Sequence, residues 1–231
     1  MSKFYHSPKL WFNTYMLNII HQDKHIIVLD KPAGIPVLPD GWDEGVPFLR
    51  KMLEEKFGRV WVVHRLDKVT TGVIVFARTA EAHRHLNTQF EQRETEKVYH
   101  AVVENVPEWN EYIARHALHA NVGRKHRTVV DKNRGKHAET GFRMIQRYPA
   151  HAWLEALPKT GRTHQIRVHL SALEFPIVAD ILYGAEATDL ISRPALHATS
   201  LAFRHPKDDQ MVKFEAPHPE DFASLLQQLS L

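Results

Sequence analysis

The sequence predicts an α+β fold: a mixed, mainly antiparallel β-sheet with flanking helices. Strand-like runs outnumber helical ones, and the two do not alternate in the regular way that makes a parallel βαβ sheet. Several strand pairs are also separated by short turns, as at Gln22-Asp23-Lys24-His25, Pro149-Ala150 and His205-Pro206-Lys207-Asp208-Asp209. With 231 residues and 43% hydrophobic content, the chain has enough material for one domain, or one domain in two lobes, with a real core.

Taken in order, residues 1–16 carry aromatics without a clear period and are expected to form an irregular N-terminal arm, leaving 17–231 as the folded unit. Ile19-Ile20 and Ile26-Ile27-Val28-Leu29 flank a polar turn and predict a hairpin. Lys31-Pro32-Ala33-Gly34-Ile35-Pro36 breaks regularity. Leu49, Met52, Leu53 and Phe57 then fall at helical spacing, which predicts a helix over 46–57 ending at Gly58. Val60-Trp61-Val62-Val63 and Val73-Ile74-Val75-Phe76-Ala77 have the length and composition of buried strands. Thr79 caps a predicted helix with Ala82, Leu86 and Phe90 on its apolar face, and a strand follows over Val98–Val103.

Residues 105–137 are polar and weakly periodic, so short strands and exposed loops are expected there. Thr140–Tyr148 and Ala152–Leu157 read as strands. Thr163 reads as the N-cap of a helix burying Ile166, Leu170 and Leu173. Leu196–Phe203 and Met211–Phe214 predict a last hairpin, and Phe222, Leu225, Leu226 and Leu229 a closing amphipathic helix.

Composition narrows the function classes. The absence of cysteine excludes disulfides, thiolate catalysis and Cys-ligated metals. The 17 histidines form no His-Glu-x-x-His or similar constellation, so no metal is expected. Neither a phosphate-binding Gly-x-x-x-x-Gly-Lys loop nor a dinucleotide fingerprint occurs, so no cofactor is expected. No Gly-x-Ser-x-Gly elbow occurs either. No apolar run reaches membrane-spanning length, and the first residues lack the apolar core of a signal peptide, which places the protein in the cytoplasm. No leftover apolar helix face is evident, which favours a monomer.

The net charge is only +3, but between Arg115 and Arg147 nine Lys and Arg face two acids. That segment, with Arg124, Lys125, Arg127, Lys132 and Arg134 in it, reads as a polyanion-facing surface, nucleic acid being the usual polyanion, or equally as a solvated basic loop.

The chemistry concentrates in His64-Arg65-Leu66-Asp67-Lys68-Val69-Thr70-Thr71-Gly72, a charged loop between two strand-like runs. Arg65 and Lys68 are close enough in sequence to keep Asp67 ionised, and a positioned carboxylate serves as nucleophile or general base. An Asp before Thr-Thr-Gly also reads as a plain turn-former. Further on, Arg162, His164 and Arg167 crowd the start of a helix, where positive charge opposes the dipole. Accepting that cost implies an anionic partner, either a carboxylate of the chain or a phosphate.

Together these stretches resemble the RluA-type pseudouridine synthases. The resemblance rests on His64-Arg65-Leu66-Asp67 with Thr70-Thr71-Gly72, on Gly161-Arg162-Thr163-His164-Gln165-Ile166-Arg167, on Leu196-His197-Ala198, and on Leu29-Asp30-Lys31-Pro32-Ala33-Gly34. It runs from about Ile19 to Pro217, with Thr71 where the family more often has Ser. It implies the family's catalytic fold with a central cleft and an isomerase acting on uridines of tRNA or ribosomal RNA, without metal or cofactor.

By the same resemblance Asp67 is the catalytic aspartate, Tyr99 the tyrosine that stacks on the base and is implicated in removing the C5 proton, and Arg167 the aspartate's basic partner. Leu196 or Ile166 forms the apolar wall of the pocket. Arg65 or His64 helps to extrude the base, and Thr71, Arg162 and His164 belong to the substrate surface. Larger relatives carry a small RNA-binding domain before the catalytic one, and none is expected here. The rival reading is a non-catalytic RNA-binding or chaperone module on the same fold, with a hydrolase using Asp67 and His64 more remote.

Overall fold

The computed structural model describes residues 17–39, 46–124 and 126–231; the expected N-terminal arm lies outside the described residues. Nine strands run through one sheet in the order β1-β2-β4-β10-β5-β9-β8-β6-β7, with β3 added on β4 and β11 on β10. The strands are β1 (Asn18–Gln22), β2 (Ile26–Lys31), β3 (Trp61–Val62), β4 (Thr71–Ala77), β5 (Glu96–Glu104), β6 (Glu111–Val122), β7 (Arg127–Val130), β8 (Lys136–Arg147), β9 (His151–Pro158), β10 (Leu196–Arg204) and β11 (Met211–Glu215). Among the described residues four α-helices flank them: α1 (Leu49–Phe57), α2 (Ala80–Gln92), α3 (Gln165–Ala172) and α4 (Glu220–Leu229). All pairings are antiparallel except β4 with β10. No helix among the described residues is long and apolar enough to cross a membrane.

The pure apolar run of β4 is explained by burial on both faces. Ile74 and Phe76 pack with Ile27, Leu29 and the Leu49, Met52 and Leu53 side of α1. Val73, Val75 and Ala77 pack with Ile26, Val28 and the Ala82 and Leu86 face of α2. Each such side chain contributes on the order of 1.5–3 kcal/mol. A second core joins β5, β8, β9, α3 and α4 through Val102, Phe142, Leu154, Leu170, Phe222 and Leu225.

Most elements stand where their residue patterns put them. Thr79 caps α2 by accepting the Ala82 N–H at 3.1 Å. Several differ. α1 begins at Leu49 rather than at 46. The run at 60–63 contributes only the two half-buried residues of β3, which pair with the outer end of β4. The short strands expected within 105–137 are led by β6, which is 12 residues long. Its inward register (114, 116, 118) includes His116 and its outward one (113, 115, 117) includes Ile113 and Ala117, which hides the period-2 signal.

Thr163 is not the cap of α3. His164 occupies the N-cap position with φ 54° and makes no side-chain cap bond. The turn is closed instead by the buried Gln165 amide. Its Oε1 accepts from Thr160 Oγ1 at 2.5 Å and from the Arg162 N–H at 3.1 Å, and its Nε2 donates to Glu139 O and Thr140 Oγ1, both at 2.9 Å.

Candidate active site

Three adjacent strands build the floor of a cleft of about 1000 Å³. Gly72 on β4 lies opposite Ala198 on β10, and Ala198 lies opposite Tyr99 on β5. At a strand spacing of about 4.8 Å, the end of the Asp67 loop and Tyr99 are thus about 10 Å apart in the backbone. The parallel β4–β10 contact requires glycine at 72. Its φ is +111°, and a Cβ there would meet Ala198 O at 2.1 Å.

Asp67 projects from the loop between β3 and β4 into the cleft. The loop is tied down from below by Lys31, fully buried, whose Nζ donates to Pro32 O (2.7 Å), Ile35 O (2.9 Å) and Lys68 O (3.2 Å). Burial pulls the Lys31 ammonium down to about 7, although the nearby Asp67 carboxylate works the other way. Lys31 belongs to the site, and sequence reading passed over it. Its signal is faint: an ionisable residue two positions after Leu29, in phase with the inward Ile27 and Leu29.

The cation facing Asp67 comes from 100 residues further along the chain and not from Arg65, which is exposed. Arg167 Nη1 is 3.5 Å from Asp67 Oδ2, and His164 Nε2 is 3.8 Å from the same oxygen. The partner expected at the start of α3 is therefore a carboxylate of the chain, and there are two of them. Arg167 also forks onto Asp180, with Nε to Oδ2 and Nη2 to Oδ1 both at 2.7 Å. Arg167 is 5% exposed and Asp180 1%. Burial opposes the guanidinium charge, and the Asp180 bonds more than offset it, raising the Arg167 pKa. Burial likewise keeps His164 neutral, its pKa lowered despite Asp67. Asp180 was missed in the sequence, where it is one acid in an unremarkable turn.

Tyr99 lines the cleft on β5, and burial, with Asp67 adding to it, pushes its phenol well above the ordinary tyrosine range, so the resting side chain carries its proton. Ile166 and Leu196 supply apolar wall, while Arg65, Arg162 and His164 line the polar side. Two expected substrate residues are placed differently. Thr71 is buried, its Oγ1 bonded to His197 Nδ1 at 2.9 Å, and Thr70 lines the cleft in its stead. His64 borders the cleft, yet its Nε2 accepts the Val75 N–H at 3.2 Å and its ring stacks on Phe90 with centroids 4.7 Å apart. It fills the gap between β10 and β3 along the β4 edge; burial first, then the nearby Lys97, holds its pKa down to about 3.

Arg124, Arg127, Lys132 and Arg134 are exposed on and beside the β6–β7 hairpin, outside the cleft, and Lys125 lies outside the described residues. Among the described residues none of those four joins an ion pair, whereas Arg115 and Arg143 of the same segment pair with Glu139, Glu111 and Glu155. The fold also gathers a group invisible in the sequence, His21, Asp23 and His205. The Lys207 N–H donates to His205 Nδ1 at 3.2 Å, so the Nε2 proton points at Asp23 Oδ2, 2.9 Å away. That is a hydrogen-bonded pair; a metal at Nε2 would have to displace this proton.

Comparison with known proteins shows the family and the fold. The family model for RNA pseudouridylate synthase matches residues 25–172. The chain is 37% identical over 228 residues to the ribosomal large subunit pseudouridine synthase D of Pseudomonas aeruginosa, covering 91% of this chain and 71% of that protein. It is 36% identical over 203 residues to the dual-specificity RNA pseudouridine synthase RluA of Pasteurella multocida, covering 87% and 93%. Among solved structures, human RNA pseudouridylate synthase domain containing 1 superposes with a TM-score of 0.74 at 27% identity, covering 88% of this chain and 84% of that one. Human RNA pseudouridylate synthase domain containing 4 gives 0.75 at 24%, covering 92% and 93%, a likeness of fold.

Proposed function

Because the chain belongs to the RNA pseudouridylate synthase family, isomerases that convert uridine to pseudouridine in RNA, we propose that Asp67, Tyr99 and Arg167 carry that reaction here on specific uridines of tRNA or ribosomal RNA. The reaction breaks the bond from ribose C1′ to N1 and joins C1′ to C5. The C5 proton leaves to solvent and N1 gains one, so atoms balance without a second substrate. Asp67 acts at the glycosidic bond. Arg167 holds that carboxylate in a cleft whose apolar wall is Ile166 and Leu196, and Tyr99 offers a face for the extruded base. Because the resting Tyr99 phenol is protonated, taking up the C5 proton requires that it first pass its own on.

One observation carries the reading: a carboxylate in an open cleft, 3.5 Å from a buried guanidinium, with a half-buried tyrosine lining the same cleft. A module that only binds RNA needs no such carboxylate facing its polyanion. In this reading residues 17–231 form the catalytic unit, the exposed cations at 124, 127, 132 and 134 track phosphates, and the enzyme works as a cytoplasmic monomer using side chains alone.

The test is tritium release from unmodified tRNA and ribosomal RNA labelled at uridine C5. Release by the wild type that vanishes in Asp67→Asn, with RNA affinity held within a few fold, is the expected result. Tight binding without release from either RNA would favour the binding module.

A further inference from the structure

We propose that the single 3-10 turn Ile181–Tyr183, with Asp180 leading into it, is the positioning element of the site, fixing both nitrogens that face Asp67. The inference rests on the isomerase reading for its catalytic consequence; its geometric content stands alone.

In a 3-10 turn, residues three apart lie on one side. Asp180 and Tyr183 are so related, with the Tyr183 N–H donating to Asp180 O at 2.9 Å. They therefore approach α3 together and take one target each. Asp180 occupies Nε and Nη2 of Arg167, leaving Nη1 as the nitrogen that reaches Asp67. The 3.5 Å contact that results is loose: the carboxylate is neutralised in part and remains free to react. The Tyr183 ring completes the seat, with the guanidinium carbon 4.9 Å from its centroid.

Tyr183 Oη sits at a junction. The Thr128 N–H on β7 donates to it at 2.9 Å, and His164 Nδ1 lies 2.7 Å away. The oxygen accepts from Thr128, and the geometry assigns its hydrogen to His164 Nδ1, the shorter of its two contacts, in preference to the buried Thr128 Oγ1. That places the imidazole proton on Nε2, the nitrogen facing Asp67. Burial supports both halves, raising the phenol so that it stays a donor and lowering His164 so that its tautomer matters. Ser171 Oγ anchors the turn to α3 by donating to Tyr183 O at 2.6 Å.

Asp180 and Tyr183 are thus positioning residues, acting on the substrate only through Arg167 and His164. Asp180→Asn releases the fork, which then closes on Asp67 and ties up its oxygens. Tyr183→Phe keeps the ring beneath Arg167 and deletes the oxygen that sets the tautomer and accepts the Thr128 N–H.

The test measures both variants in the full-length chain. On unmodified RNA, single-turnover C5 tritium release should fall about 100-fold in Asp180→Asn and about 10-fold in Tyr183→Phe, a range typical of small misplacements in a site. RNA affinity should stay within twofold in both. Independently of activity, ¹⁵N NMR of the free wild type should show His164 protonated at Nε2, and Tyr183→Phe should move that proton toward Nδ1.

Wild-type turnover in Tyr183→Phe with an unchanged tautomer overturns the proposal, even if Asp180→Asn does not fold. A wild-type His164 protonated at Nδ1 overturns it as well. If the wild type releases no tritium at all, the isomerase reading falls, and the NMR result alone judges the positioning claim.

Discussion

Lys31 illustrates how one buried group can set the height of a catalytic loop. Its three carbonyl bonds each contribute about 1 kcal/mol, and one of them holds the residue next to Asp67. Lys31→Met should lower turnover by loosening Asp67 while leaving RNA affinity nearly intact. The stability effect has a sign fixed by the depressed ammonium. The folded state releases this proton near pH 7 and the unfolded state only near 10.5, so between them the unfolded state binds more protons. Wild-type stability relative to Lys31→Met should therefore grow from pH 7 toward 10; urea midpoints of both proteins at pH 6 and 9 read this, and a pH-independent difference would count against it. At this scale, the stretches that hold Asp67 and Arg167 stood out because each is contiguous and charged, whereas Tyr99 was expected from the resemblance alone. Lys31, Asp180 and Tyr183 did not stand out: each owes its role to burial against a segment distant in sequence.

Among the elements, the β6–β7 hairpin divides its work between its two ends. Its exposed cations extend outward, while Thr128 bonds inward to the turn that seats Arg167. Replacing Arg124, Arg127 and Arg134 together by alanine should weaken RNA binding and reduce the salt slope of log K by about one unit per lost phosphate contact. The Asp67→Asn protein is a suitable background, because turnover does not then complicate the titration. An unchanged slope would remove the hairpin from the RNA surface.

Helices and buried strands were readable from period and composition, as α2 and β4 illustrate. The start of α3 was not, since a glutamine reaching backward did the work expected of a threonine ahead of it. β6 was hidden by polar side chains on a ribbon that is half exposed.

For the molecule as a whole, buried histidines set the acid limit. Burial is the leading cause that takes His64 down to about 3 and His100, His169 and His197 to about 4. The unfolded chain protonates these near 6.5, so between pH 6.5 and 4 the unfolded state binds more protons and stability falls as pH falls. Urea midpoints should drop clearly from pH 7 to pH 5; equal midpoints would contradict the assignment.

The α+β class and its largely antiparallel pairing were legible from the count and spacing of strands. The order of the sheet was not, because periodicity says nothing about which distant strand fills which gap. That gap matters to how the protein is made. β4 and β5 are close in sequence, yet β10 sits between them. A chain emerging from the ribosome holds the Asp67 loop and Tyr99 on separate, unjoined sheet fragments until Leu196–Arg204 has been synthesised. On the proposed reading, β10 is therefore the strand that joins the two halves of the reacting cleft.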